Sequence, residues 1–227
     1  MECRYQVDLE RITLAKFKAL LEKGRLLPSQ QVLREDLDER FGILKEQGIE
    51  NIRQLQLALK TKKDVGACAR ETGIPENFLT VLRREANGYN PKPRALEDST
   101  VVDRKLVSKL GRMGMTNTIQ YLEKTGTKEE RKQLARSTGA SMESIETLTR
   151  LADPTRLRYV NFAFATLLLR AGYGSVARIA DADAAALHSD LVELNQEEGI
   201  FGGAISLEDM ESCVQDARQV PRPPIEY

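Results

Sequence analysis

The chain has 227 residues, of which 41% are apolar, enough for a packed core divided between two or three small units and too much for a disordered polymer. Its 34 lysines and arginines balance its 34 aspartates and glutamates, so there is no global positive excess to mark a nucleic-acid binder, and any such binding has to come from a local patch. The longest apolar stretch, Phe162 to Leu169, is broken by Arg170 and is far shorter than the roughly 20 residues a membrane-crossing helix needs.

Apolar residues recur at intervals of three and four, and alternating strand patterns are absent, so helix is expected throughout. Thr13 caps the first helix, which passes through Leu14, Phe17 and Leu21, and Gly24 is expected to end it in the left-handed conformation. Pro28 and Ser29 open the next helix, which runs toward Gly48 with a break near Asp36 to Asp38. Asn87 to Arg94, with prolines at 91 and 93, reads as a linker. Farther on, Asp181 to Leu187 reads as a capped helix start, and a last helix over about Ser206 to Arg218 would be capped by Ser206 with Glu208 and Asp209 in its first turn. Val220 to Tyr227, with three prolines, reads as an extended tail.

An internal repeat organises these elements. A shift of 66 residues aligns Leu44–Ala86 with Leu110–Ala152 without a gap, matching among others Gly48 with Gly114, Asn51 with Asn117, Thr61-Lys62 with Thr127-Lys128, Gly73 with Gly139 and Leu82 with Leu148. The paired glycines supply positive φ at helix ends, and the asparagines three residues on cap the next helix. A third copy of the turn stands at Leu168, Gly172, Ser175 and Ile179. The expected organisation is an N-terminal region 1–90 carrying the first unit, a second unit over 91–153, a third, charge-polarised unit over 154–220, and an extended tail at 221–227.

The A-G-Y-x-S-V turn at Ala171–Val176 and the L-x-x-D-L-V-E-L-N-Q-E-E-G-I run from Leu187 to Ile200 are followed by an amphipathic helix. Over Leu157 to Ala217 the chain thereby resembles an uncharacterised prokaryotic family with a helix-hairpin-helix-related domain of unknown function. The R-L-L-P-S-Q segment at Arg25–Gln30 and the L-T-V-L-R-R-E segment at Leu79–Glu85 extend the likeness toward the N-terminus. The resemblance implies an all-α fold of tandem helix-hairpin-helix-like units, small helical domains of the SAM and HhH kind, and no established activity. In DNA-binding hairpins of that type, a glycine, hydrophobic, glycine turn brings backbone amides against a phosphate. Here the hairpins would fall at Tyr159-Val160-Asn161 and near Val101-Val102-Asp103, without glycines, although Asn161 can adopt the left-handed conformation.

Charge is polarised in the last third. Between Pro154 and Ala180 there is no acidic residue, whereas Asp181 to Ala217 holds ten acidic residues and no lysine or arginine. Arg156, Arg158, Tyr159, Val160, Asn161, Arg170 and Arg178 are therefore the candidate nucleic-acid-binding set, a weak and sequence-independent phosphate site. The competing reading is internal pairing or self-association. A second basic cluster, Lys92, Arg94, Arg104, Lys105, Lys109 and Arg112, reads as a solvated face, and Tyr159, Phe162 and Phe164 read by their spacing as core.

Catalytic chemistry is not expected. His188 is the single histidine and reads as a satisfied helix residue, Cys68 reads as a small core residue, and Cys3, Cys68 and Cys213 are too scattered for a ligand knuckle. Gly202-Gly203 reads as a turn, and Gly172-Tyr173-Gly174 lacks the preceding strand of a dinucleotide loop. The sequence thus points to a non-enzymatic, cytoplasmic helical binding or adaptor protein without metal or cofactor. Its partner would be another protein or a second copy, with nucleic acid as the alternative.

Overall fold

A computed structural model describes residues 4–24, 26, 28–219 and 222–227. Cys3, Arg25 and Leu27 of the R-L-L-P-S-Q segment, and Val220 and Pro221 of the tail, lie outside the described residues. The chain forms two compact bodies. One is Asp8–Tyr89, and the other is Asn90–Tyr227 together with the N-terminal residues up to Val7. Among the described residues there is no strand.

The first body holds α1 (Leu14–Lys23), a 3₁₀ turn (Pro28–Arg34), α2 (Leu37–Glu46), α3 (Ile52–Ala58), α4 (Lys62–Thr72) and α5 (Glu76–Gly88). The second holds α6 (Arg104–Arg112), α7 (Thr118–Leu122), α8 (Lys128–Thr138), α9 (Met142–Ala152), α10 (Phe162–Arg170), α11 (Val176–Asp181), α12 (Ala184–Glu198) and α13 (Leu207–Gln219). Short 3₁₀ turns lie at Leu96–Asp98 and Pro154–Arg156.

The repeat is realised helix by helix. Shifted by 66 residues, α4 coincides with α8 at both ends, and α3 and α5 start where α7 and α9 do. The third copy, α10 to α13, has the same order. In each copy a first helix ends at a positive-φ glycine, at Gly48, Gly114 and Gly172, and the third ends at Gly73, Gly139 and Gly199. These six are all the positive-φ glycines among the described residues. The short second helix is capped by the side chain of Asn51, Asn117 or Ser175, each accepting an amide hydrogen bond. Thr61 and Thr127 close reciprocal capping boxes with Asp64 and Glu130, and Asp183 caps α12 alone. In every copy the last helix packs on the two before it: α5 on α3 and α4, α9 on α7 and α8, α13 on α11 and α12. That helix carries the apolar face, with Leu82 and Leu148 fully buried.

Several local expectations change. Gly24 is extended (φ −72°, ψ 151°) rather than left-handed; its amide bonds the Leu20 carbonyl at 2.8 Å, and a Cβ there would come within 2.7 Å of that oxygen. Close approach, not positive φ, is what requires glycine. Asn87 and Gly88 belong to α5 rather than to the linker, because Tyr89 is buried edge-on to Phe17, 5.6 Å between ring centres, and holds the helix end down. The break in the second predicted helix is real, and Asp36 takes it with φ 45°.

Candidate functional site

The candidate set divides between the interior and the surface. Arg156 and Val160 are buried, at 5% and 2% exposure. Asn161 does not take the left-handed conformation; at φ −108° it caps α10, its side chain accepting the Phe164 amide at 2.9 Å. Asp103, at the corresponding place in the second copy, caps α6 in the same way. Arg170 pairs with Glu198 at 2.6 Å, and Arg178 donates to the Gly172 carbonyl at 2.9 Å. The amide of Arg158 bonds Asp216 at 3.2 Å, and its guanidinium lies 5.6 Å from the Tyr159 ring centre.

Arg156 is the centre of a buried polar frame. Asp153, at the end of α9, accepts Arg156 on one carboxylate oxygen, through both Nε (2.9 Å) and Nη2. The other oxygen accepts the Val176 amide at 3.0 Å, the first residue of α11, and the Tyr227 hydroxyl at 2.9 Å. Nη1 of Arg156 donates to the carbonyls of Tyr5 (3.3 Å) and Pro223 (2.8 Å). Arg222 donates to the Arg156 carbonyl at 3.2 Å and to Asp216 at 2.8 Å. Such a set tolerates burial because each charge has an opposite partner and further hydrogen bonds. Burial lowers the Arg222 guanidinium from its usual value, against the pull of Asp216. Burial, reinforced by Asp153, pushes the Tyr227 hydroxyl far up. The tail is accordingly packed: Ile225 is buried, the Glu226 amide bonds the Gly126 carbonyl, and the Tyr227 ring faces Arg150 at 4.3 Å.

Between these anchors stands Tyr159. It was expected in the core with Phe162 and Phe164, which are indeed buried, but it is 73% exposed. Its φ is 67°, a strained conformation for a bulky aromatic residue. Both flanks are tied: the Arg158 amide to Asp216, and the Val160 carbonyl to Arg94 Nε at 3.3 Å. Helical spacing failed here because the residue precedes the helix and sits in a turn. The frame around it went unread because Asp153, Asp216, Arg222 and Tyr227 are separated in the chain by up to 74 positions. The one local signal was Asp153 three residues before Arg156.

The remaining titratable groups are dispersed among the described residues. Burial pushes the Cys213 thiol up to about 12, and Cys68, half-buried with its carbonyl bonded to Thr72, is also raised. His188 Nε2 lies 3.1 Å from the Ile205 carbonyl, and the Tyr173 hydroxyl is held by Asp190 and raised to about 12. Among the described residues no cluster of histidine, cysteine and carboxylate groups could hold a metal ion. A cleft lined by Tyr5, Asn90, Thr118, Arg156 and Arg222 has room for about one water molecule. Among the described residues no helix is long and apolar enough to cross a membrane.

Residues 101–220 match the family model described as a domain of unknown function (DUF4332). That span is just over half of the chain, which therefore belongs to this family. It covers the second and third copies of the helical repeat and ends where the tail begins. No curated protein and no solved structure matches the chain.

Proposed function

We propose that this family member is a non-enzymatic helical adaptor, working in the cytoplasm, whose tandem helix-hairpin-helix-like units present an aromatic turn to a protein partner. The observation that carries this reading is Tyr159, a 73% exposed aromatic ring held at φ 67° by ties on both sides. Strain in a backbone persists only where the surroundings over-determine it, and an exposed ring on a rigid base is the usual anchor of a protein interface. Tyr loses little conformational freedom on binding, and less still when its turn is already fixed.

A photo-cross-linking residue at position 159 tests this, with exposed Lys60 as the control site. Discrete adducts to one protein at 159 alone are expected; adducts at neither site, or equally at both, would refute the reading. Tyr159→Gly supplies the second arm. It removes the ring while suiting the positive φ, so partner capture should disappear while stability holds or rises by up to about 1 kcal/mol.

A second reading is favoured by the Arg158 guanidinium beside the Tyr159 ring, a pairing that stacks on unpaired bases, with Arg170 and Arg178 near the same copy's surface. Anisotropy titration with single-stranded and duplex DNA at about 50 mM salt distinguishes it, since phosphate contacts give binding that weakens steeply with salt.

A further inference from the structure

The second body carries two helical stripes of opposite charge that do not meet. On α6, Lys105, Lys109 and Arg112 share one face. Among the described residues the side chains of Lys105 and Arg112 have no ion pair or hydrogen bond, and Lys109 reaches only the Thr138 carbonyl, at 2.6 Å. Two exposed apolar residues, Val101 (49%) and Met113 (47%), stand at the ends of this helix. On α12, Asp190, Glu193 and Glu197 form an exposed stripe in a stretch, Asp181 to Ala217, without a lysine or arginine. Among the described residues Asp190 accepts only the neutral Tyr173 hydroxyl, at 2.6 Å. Arg170 engages Glu198, outside that stripe.

We propose that α6 of one chain docks on α12 of a second copy, head to tail. The spacing selects an antiparallel register. Along α6 the charges step by four and then three residues, along α12 by three and then four, so Lys105 meets Glu197, Lys109 meets Glu193 and Arg112 meets Asp190 together. A parallel pairing would leave the middle pair one residue out of step. A second copy is favoured over nucleic acid because the same chain carries the matching acidic stripe, and Val101 and Met113 suit a protein surface rather than a phosphate backbone. Engaged by two different neighbours, the two faces build open chains or rings; engaged reciprocally by one neighbour, they close a two-fold dimer. Exposed charge pairs are individually weak and screened by salt, so association is concentration-dependent and favoured at low ionic strength.

Sedimentation of the full chain at roughly 0.01–1 mM protein, in about 20 mM and about 500 mM salt, tests this. The expected result is an average mass that climbs to a reciprocal dimer or beyond at low salt and returns to the monomer at high salt. Lys105→Gln/Arg112→Gln and Glu193→Gln/Glu197→Gln should each be monomeric, with helical content unchanged by circular dichroism. Mixed, they retain one good face each and should stop at a one-to-one dimer. Tyr159→Gly should associate like the parent, which separates this contact from the partner surface proposed above. A strict monomer at low salt, a closed dimer indifferent to these substitutions, or a monomer whose Lys105 and Arg112 instead bind duplex DNA would each overturn the proposal.

Discussion

The first two copies of the repeat and the third solve the same local problem differently. A short helix, α3, α7 or α11, starts with unpaired amides after its positive-φ glycine turn. In the first two copies an extended segment runs alongside and forms an isolated antiparallel bridge, Thr13 with Asn51 and Ala95 with Asn117. The first helical amides, of Ile52 and Thr118, then bond main-chain carbonyls of Ile12 (3.1 Å) and Arg94 (2.9 Å). In the third copy the Val176 amide bonds the carboxylate of Asp153 instead. A main-chain acceptor survives almost any substitution. A side-chain acceptor concentrates the same duty in one residue, here tied to Arg156 and Tyr227 as well, and so makes the third copy dependent on the chain's distant ends.

The largest expected effect follows from that difference. Asp153→Ala strands the buried Arg156 charge and should cost about 3–5 kcal/mol in chemical denaturation, with Asp153→Asn smaller but of the same sign. Arg94→Ala, at the position that does this work in the second copy, keeps its carbonyl and should cost about 1 kcal/mol, the worth of its side-chain bond to Val160. Equal losses at the two positions would break the comparison.

Next is Gly126, where a Cβ would stand 1.6 Å from the Tyr5 hydroxyl. Gly126→Ala should cost about 1–3 kcal/mol by displacing the N-terminal segment. Lys60, its exposed counterpart 66 residues earlier, should tolerate alanine within about 0.5 kcal/mol. A double variant with Tyr5→Ala should recover part of the Gly126 loss.

The cap residues rank third. Asn51→Ala and Asn117→Ala should each cost about 1 kcal/mol, and Ser175→Ala, at a buried cap, toward 2 kcal/mol.

The last effect is absent at neutral pH and shows only under alkaline conditions. Cys213 packs, partly buried, beside Met210 and Val214 on α13, and its folded thiol value, about 12, lies above the unfolded 9.0. Between those values the folded state binds more protons, so stability is full below pH 9 and declines as pH rises from there toward 12. Cys213→Ala should delay the decline until the tyrosines ionise, and Cys68→Ala should matter less, its thiol being less strongly raised.

Repeat, helix order and caps were legible in the sequence because they rest on short-range chemistry. A glycine at positive φ and an asparagine three residues later each act within one turn of backbone, and their 66-residue recurrence carried the assignment, whereas the capping boxes of Thr61 and Thr127 showed in the sequence only as matched identities. The assembled site was not legible. The acid-free run from Pro154 to Ala180 looked like a basic surface, yet Arg156 is consumed by a carboxylate just outside that run, and Tyr159 carries no periodic signal because it is in no helix.

The amino-acid sequence by itself determined that the chain is helical, where its units repeat and which residues close their ends, since those properties depend on neighbours a few positions apart. Tertiary structure decided which charges remain at the surface, where the tail packs and which aromatic ring stands free. Those outcomes depend on contacts between positions as distant as Tyr5 and Arg156, or Asp153 and Tyr227, whose meeting no local pattern encodes.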